Sequence, residues 1–174
     1  AYPNSRFIAD AHLKLEAFYY ENNSLYYAKV NYEKIIHNYK TAGMYNYAQY
    51  KLGWVYFNLR EFRKAIDTFQ AVIEEIAAAG GINAKIEFKE QALNDLVTTY
   101  AEIEDGWIEA RDYFTEIVGE DEAYNKLRKL AELYVAQDKD ARALELYNHL
   151  IEYEPTSHRV PFYFSQLVDV RKRL

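Results

Sequence analysis

Apolar residues recur along the chain at steps of three and four, in long segments separated by short polar turns, and this periodicity predicts helices. The pattern also repeats on a larger scale. Tyr56 is followed by Ala65, Phe69 and Val72 at steps of 9, 4 and 3 residues, and Tyr19, Ala28, Tyr32, Ile35 and Tyr134, Ala143, Tyr147, Leu150 keep the same steps. Tyr100, Ala110, Phe114 and Ile117 fit once the turn at Asp105-Gly106 holds one extra residue. Each unit splits at a polar turn: Glu21-Asn22-Asn23-Ser24, Asn58-Leu59-Arg60-Glu61, Glu104-Asp105-Gly106 and Gln137-Asp138-Lys139-Asp140. The prediction is four αα-hairpins, over about 4–39, 42–79, 85–118 and 121–153, followed by a terminal helix over 157–173.

Gly53 interrupts the second unit between Leu52 and Trp54. A glycine inside a helix costs about 1 kcal/mol relative to alanine, so its presence predicts a close approach to the backbone at that point. Two antiparallel helices that cross closely need small residues at the contact, and Gly53 is expected to face Ala65, with Tyr56 and Phe69 filling the layers on either side.

The set Leu52, Gly53, Tyr56, Ala65 and Phe69 resembles the tetratricopeptide repeat, whose characteristic residues occupy the same relative positions. The resemblance implies an all-α fold, an α-α superhelix (a tetratricopeptide-like solenoid) of about four helix pairs plus the terminal helix, forming a single array. It is not uniform: Glu16 and Ala131 stand where unit 2 has its glycine, the first helix of unit 3 is degenerate, and the steps between the repeat alanines are 37, 45 and 33 residues. The long step contains Gly80-Gly81, the expected place for a kink or hinge. The opening "YPNSRFIADAHLKLEAFYY", the later "YEKIIHNY" and the 37-residue step are similar to tetratricopeptide proteins of the bacterial envelope, such as Tol-Pal coordinators and scaffolds of β-barrel assembly. That likeness implies a periplasmic or outer-membrane-associated scaffold, with a cytoplasmic setting as the alternative.

Composition narrows the function. Half of the 174 residues are hydrophobic, and three prolines and six glycines leave little room for strands or long loops. A net charge of −6 lacks the basic stripe that a nucleic-acid binder needs, and Arg171-Lys172-Arg173 forms the basic cluster. There is no cysteine, which removes disulfides, thiolate metal sites and cysteine nucleophiles. No apolar stretch reaches the roughly 18 residues that span a bilayer, so direct membrane insertion is not expected of this segment. The chain begins at Ala1 in mid-motif, which is expected of a processed or excised segment whose parent continues on at least one side.

Catalytic patterns are weak. His12, His37, His149 and His158 are scattered rather than grouped for a metal, and His12 and His149 read as helix-surface or interface residues. Ser5, Ser24 and Ser157 read as helix N-caps rather than nucleophiles, and Gly80-Gly81 lacks the Lys and Ser/Thr of a phosphate loop. The expectation is a non-enzymatic protein with no metal and no cofactor. Glu102 to Glu122 holds nine acidic residues against Arg111, read as a solvated surface near helix N-termini or, more sharply, as a patch for a basic segment.

The aromatic stripe is more informative. Tyr47, Tyr50, Trp54 and Phe57 follow at steps of 3, 4 and 3, so they share one helix face. Leu52, Val55, Tyr56 and Leu59 supply a separate packing stripe, which is expected to leave Tyr47, Tyr50 and Trp54 exposed. Phe57 suits groove lining and packing against the next repeat equally. The resemblance places these positions, together with Leu13 and Tyr20 of the preceding unit, on a concave groove that holds a protein or peptide segment. Chaperone-binding relatives clamp a C-terminal carboxylate there with Lys and Asn; aromatic residues in those positions imply stacking or apolar recognition instead. The implied function is a protein-protein interaction scaffold in envelope assembly or division, with a gliding-motility or secretion machine, or a regulatory binding domain of a larger enzyme or sensor, as alternatives.

Overall fold

The computed structural model describes residues 24–38, 45–78 and 83–173, and of residues 83–87 the backbone only. Among the described residues the fold is all-α. Eight helices follow in order: α1 (Leu25–Asn38), α2 (Tyr45–Asn58), α3 (Phe62–Ala78), α4 (Asn83–Tyr100), α5 (Gly106–Val118), α6 (Glu120–Ala136), α7 (Asp140–Tyr153) and α8 (Val160–Arg171). The chain divides into two compact units, residues 1–99 and 100–174. The division falls in the last turn of α4, downstream of Gly80-Gly81, which lies outside the described residues.

In the first unit α2 packs against both α1 and α3. Ala28, Tyr32 and Ile35 of α1 meet Ala48, Leu52 and Val55 of α2 in one buried layer, with Tyr56 and Leu59 packed at its edge. This is the packing stripe expected from the sequence. On α3 the buried residues Ala65, Ile66, Phe69, Val72, Ile73 and Ile76 recur at helical spacing while Arg63, Lys64, Asp67 and Glu74 are exposed, the pattern of a helix with one face in the core.

Gly53 does mark a close approach, but its partner is not the one expected. An ideal Cβ on Gly53 would lie 2.6 Å from Cε1 of Phe69 and 2.9 Å from its Cδ1. The nearest atoms to the glycine all belong to the ring of Phe69 rather than to the small Ala65.

In the second unit α6 packs against α5 and α7, and α7 against α8. The repeat alanines Ala110 and Ala143 are fully buried here, as Ala28 and Ala65 are in the first unit. Three of the described turns between helices share one feature. Arg60, Asp105 and Asp138 all adopt the left-handed conformation, with φ of 59°, 53° and 55°, and each lies five residues before a repeat alanine. In two of these turns the chain closes in the same way: Glu61 N–H donates to the Tyr56 carbonyl and Lys139 N–H to the Tyr134 carbonyl, both at 2.9 Å. These six-to-one bonds satisfy carbonyls that the ending helix leaves open.

The third turn, with its extra residue, requires glycine at position 106 for a steric reason. An ideal Cβ on Gly106 would lie 1.9 Å from the Tyr100 carbonyl oxygen, so only glycine lets the chain double back here. The neighbouring Ala101 carbonyl accepts from Lys139 Nζ at 2.7 Å and Arg142 Nη1 at 3.4 Å, so cations from the start of α7 cap the end of α4.

The N-cap assignment of Ser157 needs amendment. α8 starts after Arg159, without a side-chain cap, and Pro161 occupies its first turn, where the missing N–H has no helical partner to lose. Ser157 Oγ instead accepts from Arg159 N–H at 3.3 Å, which closes the turn before the helix. Ser24 supplies its backbone carbonyl to Tyr27 and Ala28 at the start of α1. Ser5 lies outside the described residues.

Candidate partner-binding site

Helix α2 carries the aromatic stripe, and α3 and α4 determine what becomes of it. Tyr47 is 38% exposed, whereas Tyr50 is only 7% exposed. Trp54 and Phe57 are half-buried. Leu13 and Tyr20 lie outside the described residues.

The exposure expected of Tyr50 is therefore corrected: α4 covers it. Phe88 of α4 meets Tyr50 edge-on with ring centroids 5.5 Å apart and Tyr47 at 6.2 Å. Phe69 of α3 lies 5.9 Å from Tyr50 and 6.1 Å from Trp54. Such tilted and edge-to-face pairs match the quadrupoles of the rings and fix their orientation. Phe57 turns towards Trp54 and Phe62, at 5.2 and 5.5 Å, and extends the aromatic row to the start of α3.

Asp95 of α4 completes the arrangement. Its Oδ2 accepts from the Tyr50 hydroxyl at 2.7 Å and from Trp54 Nε1 at 3.1 Å. Trp54 Nε1 also lies 3.1 Å from the Tyr50 oxygen, so the two aromatic donors converge on one carboxylate oxygen. Burial raises the Asp95 carboxyl above its usual value, and the hydrogen bonds from Tyr50 and Trp54 and the charge of Lys51 act in the opposite direction. The Lys51 ammonium stands 5.5 Å from the Tyr47 ring centroid and 6.0 Å from that of Tyr50.

Asp95, Phe88 and Lys51 were not among the sequence candidates. A signal for the first two exists: Phe88 and Asp95 are seven residues apart, one face of a helix, and Asp95 stands between the core residues Leu93 and Leu96. The weak repeat pattern of this helix hides that signal.

Part of the acidic stretch is engaged within its own unit. Glu102 pairs with Lys139 at 3.1 Å and Asp112 with Arg111 at 2.7 Å. Glu120, Asp121 and Glu122 fill the first turn of α6, where they complement the helix dipole. His149 is an interface residue: its Nε2 is hydrogen-bonded to the Tyr124 hydroxyl at 3.0 Å, and its ring lies 5.0 Å from that of Trp107. Among the described residues there is no group of three His, Asp or Glu side chains placed to hold a metal ion. No described helix is long and apolar enough to cross a membrane.

Residues 47–75 and 127–157 match the tetratricopeptide repeat family. These segments span α2 with α3, and α6 with α7. Each matched segment is a helix, a turn and a second helix of the tetratricopeptide kind. Such repeats generally mediate protein-protein interaction and are typically non-catalytic scaffolds. No curated protein matches the chain.

Proposed function

We propose that the protein is a non-enzymatic interaction scaffold that holds a segment of a partner protein on the aromatic face where α2 meets α4, at Tyr47, Tyr50 and Trp54, with Phe57 extending the surface. One observation carries this reading. Tyr47 and Trp54 remain partly open to solvent while Phe88, Phe69 and Asp95 hold their rings in place. Rings that are already ordered bind with little further loss of side-chain freedom, and aromatic residues of this kind dominate binding energy at interfaces. Tyr50 supports the site from beneath rather than touching the partner broadly.

An envelope complex of assembly or division is the proposed setting, supported by the resemblance of the first repeat to envelope tetratricopeptide proteins; a gliding-motility or secretion machine is the alternative. Affinity purification from envelope extract with the parent protein and with Tyr47→Ala tests both parts. The reading expects an envelope partner that Tyr47→Ala retains poorly, with binding weaker by about 2 kcal/mol and unchanged circular dichroism. Equal retention by both proteins would remove the site from this face.

A further inference from the structure

The partner-binding face contains a charge that its neighbours orient but do not neutralise. Asp95 accepts from the Tyr50 hydroxyl and the Trp54 indole N–H, both neutral donors and both directed at Oδ2. Among the described residues, Oδ1 receives no hydrogen bond, and no cation forms an ion pair with the carboxylate. The nearest positive influence is Lys51, whose ammonium rests on the Tyr47 and Tyr50 rings. Those distances lie within the reach of about 6 Å at which a ring face attracts a cation. The face therefore already seats an ammonium group, held on a flexible stem by aromatic faces.

These features discriminate among occupants. A purely apolar segment laid over Tyr47 and Trp54 would strip water from Asp95 without replacing it, and an acidic segment would meet a like charge. A basic side chain meets a carboxylate oxygen and electron-rich ring faces together. The net charge of −6 also favours approach of a basic segment over an acidic one.

We propose that the segment bound on this face presents a lysine or arginine side chain that displaces Lys51 from the Tyr47 and Tyr50 rings and pairs with Asp95 Oδ1. The inference rests on the partner-binding reading above and adds the chemistry of the occupant. Lys51 is then an internal stand-in that shields the site until a partner arrives.

A displayed library of random peptides, selected on the full chain, tests this with the natural partner still unidentified. The expected result is peptides enriched in Lys or Arg at a fixed distance from an apolar residue. Their affinity should fall about tenfold with Asp95→Asn, which keeps an acceptor for Tyr50 and Trp54, and rise a few-fold with Lys51→Met, as removal of a competing cation requires. Should Asp95→Asn fail to fold, the direction of the Lys51→Met effect decides. Selected peptides with no basic enrichment that nevertheless lose binding with Tyr47→Ala would overturn the cationic inference and leave the partner site standing. Peptides that bind Tyr47→Ala and Trp54→Ala as well as the parent, or a selection that yields none, would overturn both.

Discussion

The ring of Phe69 lies so close to Gly53 that an added methyl group would come within 2.6 Å of its edge. Phe69 is fully buried and also contacts Tyr50 and Trp54, so the ring has no free space into which it can retreat. A single methyl group at position 53 would thus disturb the core and the aromatic face of α2 together. Gly53→Ala should destabilise the protein by about 1 to 3 kcal/mol despite the helix propensity it gains, because overpacking outweighs a propensity term of about 1 kcal/mol. Urea denaturation measures the loss. Phe69→Leu in the same chain should recover part of it, and a double-mutant cycle with no coupling would show that the two residues do not meet in solution.

Gly106 is constrained more severely, because the obstacle is backbone. The Tyr100 carbonyl cannot rotate away as a side chain could, and the whole turn from Tyr100 to Gly106 must rebuild to admit a Cβ. Gly106→Ala should cost about 3 kcal/mol, the upper part of the range for overpacking. Gly119 is a useful contrast, since its φ is +82° and nothing lies within 4 Å of its would-be Cβ. Gly119→Ala should lose backbone strain alone, about 1 to 3 kcal/mol, because its ψ of 165° puts it in a region essentially reserved for glycine. A loss below about 1 kcal/mol for Gly106→Ala in thermal melts would contradict the steric account of the third turn.

The sequence revealed the helix pairs because their apolar spacing, their polar turns and the buried alanines Ala28, Ala65, Ala110 and Ala143 are local or nearly local features. Gly53 announced a close contact for the same reason, since its propensity penalty is visible without a structure. The identity of the contact was not visible: choosing Phe69 over Ala65 depends on the relative rotation of α2 and α3. The candidate site was legible on the same terms. Tyr47, Tyr50, Trp54 and Phe57 share a face by spacing alone, but burial of Tyr50 and the convergence on Asp95 depend on α4, whose Asp95 lies 41 residues beyond Trp54, where the repeat pattern fades.

Arg60 occupies a left-handed position that suits glycine better. A non-glycine residue there is strained by roughly 1 to 2 kcal/mol, while glycine loses about 0.5 to 1 kcal/mol through greater freedom in the unfolded chain. Arg60 is exposed, and Arg60→Gly is expected to stabilise the protein by a few tenths of a kcal/mol up to about 1 kcal/mol. The same change at Asp138 should gain less, because aspartate tolerates this conformation better than arginine does. A drop in melting temperature for Arg60→Gly would indicate that the arginine side chain contributes to the turn in a way its exposure does not show.

His149 should make stability depend on pH in a known direction. Burial lowers its pKa below the usual value, the charge of Arg111 lowers it further, and Glu152 opposes both. The groups around it are Tyr124, which is hydrogen-bonded to Nε2, and Trp107, whose ring is tilted against the imidazole beneath the Arg111 guanidinium. An imidazolium would forfeit any hydrogen bond accepted by Nε2 and would place a second cation near Arg111. In the unfolded chain His149 titrates near 6.5, so between that pH and its lower folded value the unfolded state binds more protons. The contribution of neutral His149 is therefore complete above about pH 6.5 and is lost as pH falls through the folded pKa. Urea denaturation of the parent and of His149→Gln at a series of pH values between 5 and 8 isolates this residue, because every other titrating group is common to both proteins. The difference in stability between them should be constant above neutrality and shrink as the solution is acidified. A difference that instead grows on acidification would mean that His149 is protonated more readily in the folded protein than in the unfolded chain, and that Glu152 rather than burial and Arg111 governs its charge.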